Sequence, residues 1–143
     1  MDFFYITVHE PQKFTWMTRK ILADAQQYSF NYLNLKWFTT LVMIESLHDI
    51  KGASKHYYVF NPKGWAIILD QPGFVEVKYI FVYPEYRRTG FFTQLLTLIK
   101  RQNKEISVCT QESIMVRVLN AKGFQLKGPS LDGKELAFIL PCE

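Results

Sequence analysis

The segment from Val75 to Lys100 constrains the fold more than any other part of the sequence. It reads as an extended strand, a turn marked by proline, a short basic loop with one glycine, and an amphipathic helix. A loop of this kind points several backbone N–H groups at one spot, and the positive end of the helix dipole lies behind them. We therefore expect this loop to bind a phosphate group that belongs to a cofactor or a substrate.

Periodicity and turn residues predict the element order β-α-α-β-β-β-α-β-α-β-β for the whole chain. The second helix is expected to bury either Trp37 or Phe38, and Asn61-Pro62-Lys63-Gly64 predicts the turn of a β-hairpin. The predicted strands are Phe3–His9, His56–Phe60, Trp65–Leu69, Phe74–Val82, Glu105–Cys109, Phe124–Leu126 and Glu135–Leu140. The predicted helices are Lys13–Gln27, Leu35–Leu47, Thr89–Gln102 and Ile114–Ala121, and the aromatic segment Tyr28–Leu35 is predicted to be a loop.

Length and composition fit a globular protein, and we expect residues 1–143 to form a single domain. The net charge of +4 is spread along the chain rather than gathered in one basic segment, so nucleic-acid binding is a minor hypothesis. Two cysteines and three histidines lack the spacing of a disulfide framework or of metal ligands. No apolar run is long enough to cross a bilayer, and we expect a cytoplasmic protein without a membrane partner.

From Glu76 to Phe124 the chain resembles the GNAT superfamily, whose members are acetyl-CoA-dependent N-acetyltransferases. The family signature is R/Q-x-x-G-x-G/A, preceded by a strand that ends in V-x-P. Val82-Tyr83-Pro84 matches the strand end and Arg87-Arg88-Thr89-Gly90-Phe91-Phe92 occupies the loop, with Phe92 where the family usually has Gly or Ala. The resemblance implies a GNAT fold of the α+β class, with a mixed, mostly antiparallel sheet flanked by about four helices.

A second match begins at Glu112 and ends at Gly123-Phe124, the closing G-F pair of the family. Glu112 replaces the usual Asn and Met115 replaces the usual Ser or Ala, so the match does not choose a branch of the superfamily.

The resemblance also implies the ligands. Acetyl-CoA would be the cosubstrate, and the acceptor would be a primary amine of a small molecule or a protein. Main-chain groups of Phe81 and Val82 would pair with the pantetheine arm. The pyrophosphate would lie against the loop and the first helical turn, formed by Arg87, Arg88, Thr89, Gly90, Phe91, Phe92 and Thr93.

The resemblance carries the role of catalytic base to Glu76, eight residues before the proline of the strand end. Simple alternation along the strand places Glu76 on one face with Lys78, Ile80 and Val82. The alternative for Glu76 is a structural carboxylate paired with Lys78 or another cation.

Many family members use a tyrosine as the proton donor, but Leu119 stands at that position. Ser113, Cys109 and Tyr83 are substitutes by location alone, so we assign no acid.

The acceptor pocket is expected between the first two helices and the late hairpin. Five residues fall in those regions, where they can serve either as substrate contacts or as packing: Tyr28, Phe30, Tyr32, Trp37 and Asp132. A second reading is a GNAT-fold module that binds acyl-CoA or a partner without turnover. For either reading the chain is a monomer or a homodimer.

Overall fold

The computed structural model describes residues 3–7, 10–29, 32–46, 55–131 and 133–142. Its helices are α1 (Pro11–Gln27), α2 (Tyr32–Ser46), α3 (Phe91–Lys100) and α4 (Ser113–Ala121). Its strands are β1 (Phe4–Thr7), β2 (Lys55–Asn61), β3 (Gly64–Asp70), β4 (Phe74–Val82), β5 (Glu105–Thr110), β6 (Gln125–Pro129) and β7 (Leu136–Leu140). Within the described residues the strands form one sheet in the order β1-β2-β3-β4-β5-β7-β6, in which only β4 and β5 are parallel neighbours.

The structure confirms the predicted element order and adds a 3₁₀ turn, Pro84–Tyr86, between β4 and α3. The predicted loop Tyr28–Leu35 is wrong in its second half, because α2 begins at Tyr32. Leu35 is fully buried, and burial of a leucine outweighs the weak helix propensity of its aromatic and polar neighbours. Of the two alternatives for the buried aromatic of α2, the structure selects Phe38, since Trp37 is 69% exposed.

Two hydrophobic clusters cover the two faces of the sheet, which makes the molecule three layers thick. On one face, α1 and α2 pack buried side chains such as Phe14 and Leu35 against Trp65. On the other face, α3 and α4 pack buried side chains such as Leu95 and Leu119 against the opposite side of the strands. We call these the α1/α2 face and the α3/α4 face.

A β-bulge in β4 decides which face each side chain of that strand takes. Ile67 of β3 is opposite Tyr79, but the next residue, Ile68, is opposite Val77, so Lys78 is an extra residue in β4. An extra residue shifts the alternation by one position for every side chain that follows it.

The predicted face assignment of β4 is therefore wrong beyond Val77. Ile80 and Val82 pack on the α3/α4 face together with Val77, whereas Tyr79 and Phe81 pack on the α1/α2 face. Glu76 lies between Val75 and Val77, both on the α3/α4 face, so its side chain is directed to the α1/α2 face. Glu76 shares that face with Tyr79 and Phe81 and not with Ile80 and Val82.

The β2–β3 hairpin approaches β4 so closely that Gly64 has no room for a side chain. A Cβ atom at Gly64 would lie 2.2 Å from the carbonyl oxygen of Phe81 and 3.0 Å from the Cα atom of Val82. Both atoms belong to the backbone of the strand, which cannot move without breaking the sheet. The closeness of this contact follows from the pairing of Gly64 with Val82 at the end of both strands.

We predict that Gly64→Ala lowers the free energy of unfolding by about 1–3 kcal/mol, because the new methyl group overpacks against backbone. Urea denaturation followed by circular dichroism measures the change. Gly73→Ala is the matched control, because a Cβ atom at Gly73 meets no atom within 4 Å. Equal unfolding midpoints for the two variants would contradict the prediction.

Candidate cofactor and active site

A fork in the sheet opens between β4 and β5. The two strands pair from Phe74 to Val77 and from Glu105 to Val108. Within the described part of the chain, β4 then continues to Val82 without β5 as a neighbour. The main-chain N–H and C=O groups along this stretch of β4 face a gap in the sheet, and an extended ligand can pair with such an edge as an added strand.

The basic loop lies at the open end of this fork. After the 3₁₀ turn, Arg88 and Gly90 take left-handed backbone angles, with φ of 65° and 93°, and α3 begins at Phe91. No described side chain caps the helix at Gly90. Phe91 is 2% exposed, and Phe92 is partly buried against the same hydrophobic cluster. Since both rings pack into the core, the first turn of α3 is anchored and its free N–H groups remain for a ligand.

Two lysines from distant parts of the sequence reach this loop. Lys63, in the β2–β3 turn, donates from Nζ to the carbonyl oxygen of Thr89 at 3.4 Å. Lys122, at the end of α4, donates from Nζ to Oγ1 of Thr93 at 2.6 Å. Neither residue could be predicted from the sequence, because only the folded topology brings the hairpin turn and the end of α4 beside the start of α3. Together with the exposed Arg88 they make this end of the sheet strongly cationic.

The exposed side chain of Arg87 contacts β4. Its Nε donates to the carbonyl oxygen of Val82 at 3.1 Å, and its guanidinium carbon lies 5.9 Å from the centre of the Phe81 ring. Arg87 thus uses one of the main-chain groups that the sequence analysis gave to pantetheine. The other predicted cofactor residues of the loop lie together at the start of α3: Arg88, Thr89, Gly90, Phe91, Phe92 and Thr93.

A buried carboxylate on α1 supports the strand end that leads into the loop. Asp24 is 8% exposed, and its Oδ2 accepts hydrogen bonds from the Tyr83 hydroxyl at 2.5 Å and from Trp65 Nε1 at 3.2 Å. Burial raises the pKa of Tyr83, and the hydrogen bond to Asp24 and the charge of that carboxylate raise it further. Asp24 could not be predicted from the sequence, since nothing in the helical pattern of α1 marks its partners.

Glu76 forms an ion pair on the α1/α2 face. Its Oε2 lies 2.7 Å from Nζ of Lys78, and the two side chains are 18% and 32% exposed respectively. This contact is the structural alternative that the sequence left open. Glu76 also lies opposite Ser107 of β5, one residue before the fork begins. Its carboxylate is therefore close to the apex of the gap.

His56 of β2 belongs to the same row of residues across the sheet, because it lies opposite Leu69 and Leu69 lies opposite Glu76. Burial lowers the pKa of His56 to about 4, and the positive charge of Lys78 contributes in the same direction. The imidazole ring packs edge-on against Phe38 at 5.1 Å between ring centres. His56 is consequently neutral around physiological pH.

The structure does not assign the role of proton donor to any of the three candidates, Ser113, Cys109 and Tyr83. Tyr83 donates its hydroxyl proton to Asp24 and is a weakened acid because its pKa is raised. Ser113 is exposed at the start of α4. Cys109 is partly buried on β5, one residue beyond the last pair with β4. Leu119 is fully buried in the core of the α3/α4 face.

The predicted acceptor residues take different positions. The ring of Tyr28 lies 5.2 Å from that of Phe81 and 6.3 Å from that of Tyr83, which places it near the open end of the fork. Tyr32 is partly buried against the same cluster, whereas Trp37 is exposed. Phe30 and Asp132 lie outside the described residues.

A separate shallow cavity of about 180 Å³ lies at the other end of α3. Lys100, Lys104, Leu140 and Cys142 are among its lining residues, and none of the predicted cofactor residues takes part. It is unrelated to the fork.

Among the described residues, no helix combines the length and the apolar character that a membrane span requires.

Comparison with known proteins gives a match in structure only. No protein-family model matches the chain, and no curated protein sequence is significantly similar to it. A GNAT-family protein from Desulfovibrio desulfuricans superposes with a TM-score of 0.63 at 14% identity, covering 99% of this chain and 100% of the other. For a GNAT-family acetyltransferase from Staphylococcus aureus the TM-score is 0.61 at 14% identity, with 99% and 100% covered.

The PaiA N-acetyltransferase from Thermoplasma acidophilum, solved in complex with coenzyme A, matches with a TM-score of 0.60 at 10% identity and 99% coverage of both chains. At such identities the likeness concerns the fold. The described part of the chain adopts the GNAT fold, and the predicted fold class is confirmed.

We predict that His56 makes stability depend on pH. Because the folded protein holds the pKa of His56 at about 4, below the ordinary value of 6.5, the folded state favours the neutral ring. The stabilisation is complete above the ordinary value and is lost as the pH falls from there toward about 4. His56→Gln removes this component, so its free energy of unfolding should decline less over that interval than that of the wild type. Urea denaturation at a series of pH values measures both, and parallel curves would show that His56 does not contribute.

Proposed function

We propose that this protein is an acetyl-CoA-dependent N-acetyltransferase that transfers acetyl directly to a primary amine of a small molecule or a protein. The observation that carries the proposal is the uncapped start of α3 beside the open edge of β4. A protein of the same fold, PaiA, holds coenzyme A.

We further propose that residues 1–143 act as one domain, as a monomer or a homodimer. The two cysteines, Cys109 and Cys142, lack the spacing of a disulfide framework, which favours a reducing, cytoplasmic setting.

In this proposal the diphosphate lies against N–H groups of the loop and of the first turn of α3, from Arg87 to Thr93. Arg88, Lys63 and Lys122 supply positive charge around it, and the helix dipole adds to their effect. The pantetheine arm pairs with the open edge of β4 and runs from Val82 back toward Lys78. The thioester then arrives at the apex of the fork, next to the row of residues that contains Glu76.

The chemistry follows from that arrangement. The Glu76 carboxylate accepts a proton from the acceptor ammonium group, and the neutral nitrogen attacks the thioester carbonyl carbon. The C–S bond of the tetrahedral intermediate breaks, and the departing thiolate takes a proton from the attacking nitrogen or from water. This step uses no protein acid, in keeping with a buried Leu119 and with a Tyr83 whose pKa is raised.

The second candidate is acyl-CoA binding without turnover. Two observations favour it: a fully buried Leu119 where many family members have a tyrosine, and a Glu76 carboxylate engaged with Lys78. Turnover distinguishes the two. Release of free coenzyme A from acetyl-CoA in the presence of an amine library supports the transferase, whereas calorimetric binding of acetyl-CoA without any release supports the binding module. Salt-sensitive retention on DNA or RNA would instead support the minor nucleic-acid hypothesis.

We predict that Gly90→Val weakens acetyl-CoA binding by about tenfold or more, which corresponds to at least about 1.4 kcal/mol of binding free energy. A Cβ atom at Gly90 meets no protein atom within 4 Å, so the new side chain occupies the space that we assign to phosphate. Gly133→Val is the matched control, because Gly133 has a positive φ of 72° and equally open surroundings in another loop. Isothermal calorimetry measures both, and equal affinities would remove the phosphate site from the loop.

We predict that Glu76→Gln lowers kcat by about 10²–10⁴-fold while acetyl-CoA affinity is retained, because the amide cannot accept the proton. Steady-state kinetics with the best amine of the library, across a pH series, measures the effect. Glu105→Gln is the control, since this partly buried carboxylate lies on β5 at the start of the β4–β5 pairing. Unchanged turnover of the Glu76 variant at every pH would exclude it as the base.

A further inference from the structure

The geometry points to Lys78 as an internal acetyl acceptor: with acetyl-CoA bound, the protein acetylates its own Lys78 amine. This inference rests on the proposed function, because it uses the same cosubstrate and the same base. It adds a modification site at a position to which the sequence analysis gave only a structural role as a partner of Glu76.

Lys78 has the functional group that the proposed reaction requires, and this group lies within hydrogen-bond distance of the proposed base, Glu76. Lys78 carries a primary amine, the functional group that the proposed reaction acetylates. Its Nζ lies 2.7 Å from Oε2 of Glu76, a hydrogen-bond distance along which the ammonium proton can pass to the carboxylate. The side chain is 32% exposed, so the amine is not closed off from a cosubstrate in the fork.

Lys78 also lies at the right position in the sheet to meet the thioester. It is the extra residue of the β4 bulge, and it directly follows Val77, the last residue that pairs with β5. A strand rises by about 3.3 Å per residue, so Val82 and Lys78 are about 13 Å apart along the open edge of β4. An extended pantetheine arm that enters at the loop and follows this edge ends beside Lys78.

The reaction balances without any further reactant. Lys78 loses one proton to Glu76, which passes it to water, and the neutral nitrogen forms a C–N bond with the acetyl carbonyl carbon. The C–S bond breaks, and the thiolate of coenzyme A takes the second proton from the nitrogen. The products are an acetamide on Lys78, the free thiol of coenzyme A and one released proton.

The product state differs from the starting state in its electrostatics. An acetylated Lys78 has no charge, so the ion pair with Glu76 is lost and the carboxylate becomes available to an external ammonium group. The positive charge that helps to lower the pKa of His56 also disappears, so this pKa rises. Self-acetylation would thus convert Glu76 from a paired carboxylate into a free base.

The experiment uses the full chain, acetyl-CoA and peptide mass spectrometry over a time course. Lys104 is an internal control, because its Nζ also lies 2.7 Å from a carboxylate, Oδ1 of Asp70, and its side chain is 27% exposed. This pair is located at the other end of the strands, away from the open part of the fork. We expect Lys78 to be acetylated about tenfold faster than Lys104 or more, since a bound thioester is presented to Lys78 alone.

Two further readouts test the mechanism. The rate at Lys78 should not depend on protein concentration, and Glu76→Gln should reduce it to the rate at Lys104. Equal rates at Lys78 and Lys104 in the wild type, or a rate at Lys78 that Glu76→Gln leaves unchanged, would overturn the inference. If external amines are acetylated while Lys78 stays unmodified, the inference fails and the proposed function stands. If acetyl-CoA does not bind, both fail.

Discussion

The pairing of β4 with β5 ends after four residues, and the candidate site depends on that interruption. A parallel pair that continued to Val82 would close the sheet and leave no edge for a ligand. The bulge at Lys78 coincides with the point of separation, and a bulge bends its strand and increases the local twist. One additional residue in β4 thus accompanies the opening of the fork and also reverses the direction of every later side chain in the strand.

The ends of the fork are held by different kinds of interaction. At the loop, the rings of Phe91 and Phe92 fix the start of α3 by burial in the core. Behind the end of β4, Asp24 accepts two hydrogen bonds in a buried position, where a charged acceptor requires such partners. This carboxylate joins α1 to Tyr83, the residue that precedes the 3₁₀ turn. The loop is therefore supported from both faces of the sheet, by apolar packing on one and by a polar contact on the other.

Local features of the sequence were sufficient to predict the element order and the glycine-containing loop before α3, whereas phosphate binding by that loop stays a prediction. Alternation, helical spacing and turn residues act over a few positions, and Gly90 does take the left-handed angle that its loop requires. The bulge at Lys78 could not be predicted, because it depends on how β4 pairs with β3. For the same reason Lys63 and Lys122 were missed, since their shared location exists only after the chain has folded. Glu76 was predicted as the base by resemblance alone, whereas its ion-pair partner, Lys78, could be identified only from the folded geometry.

The close approach of Gly64 to the backbone of β4 restricts which residues this position can accept. A related sequence whose β2–β3 hairpin lies equally close to the backbone of Phe81 must have glycine at position 64, whatever reaction it catalyses. The exposed side chain of Trp37 is under no comparable packing restriction. Glycine at position 64 is therefore required by the geometry of the sheet and not by the chemistry at the fork.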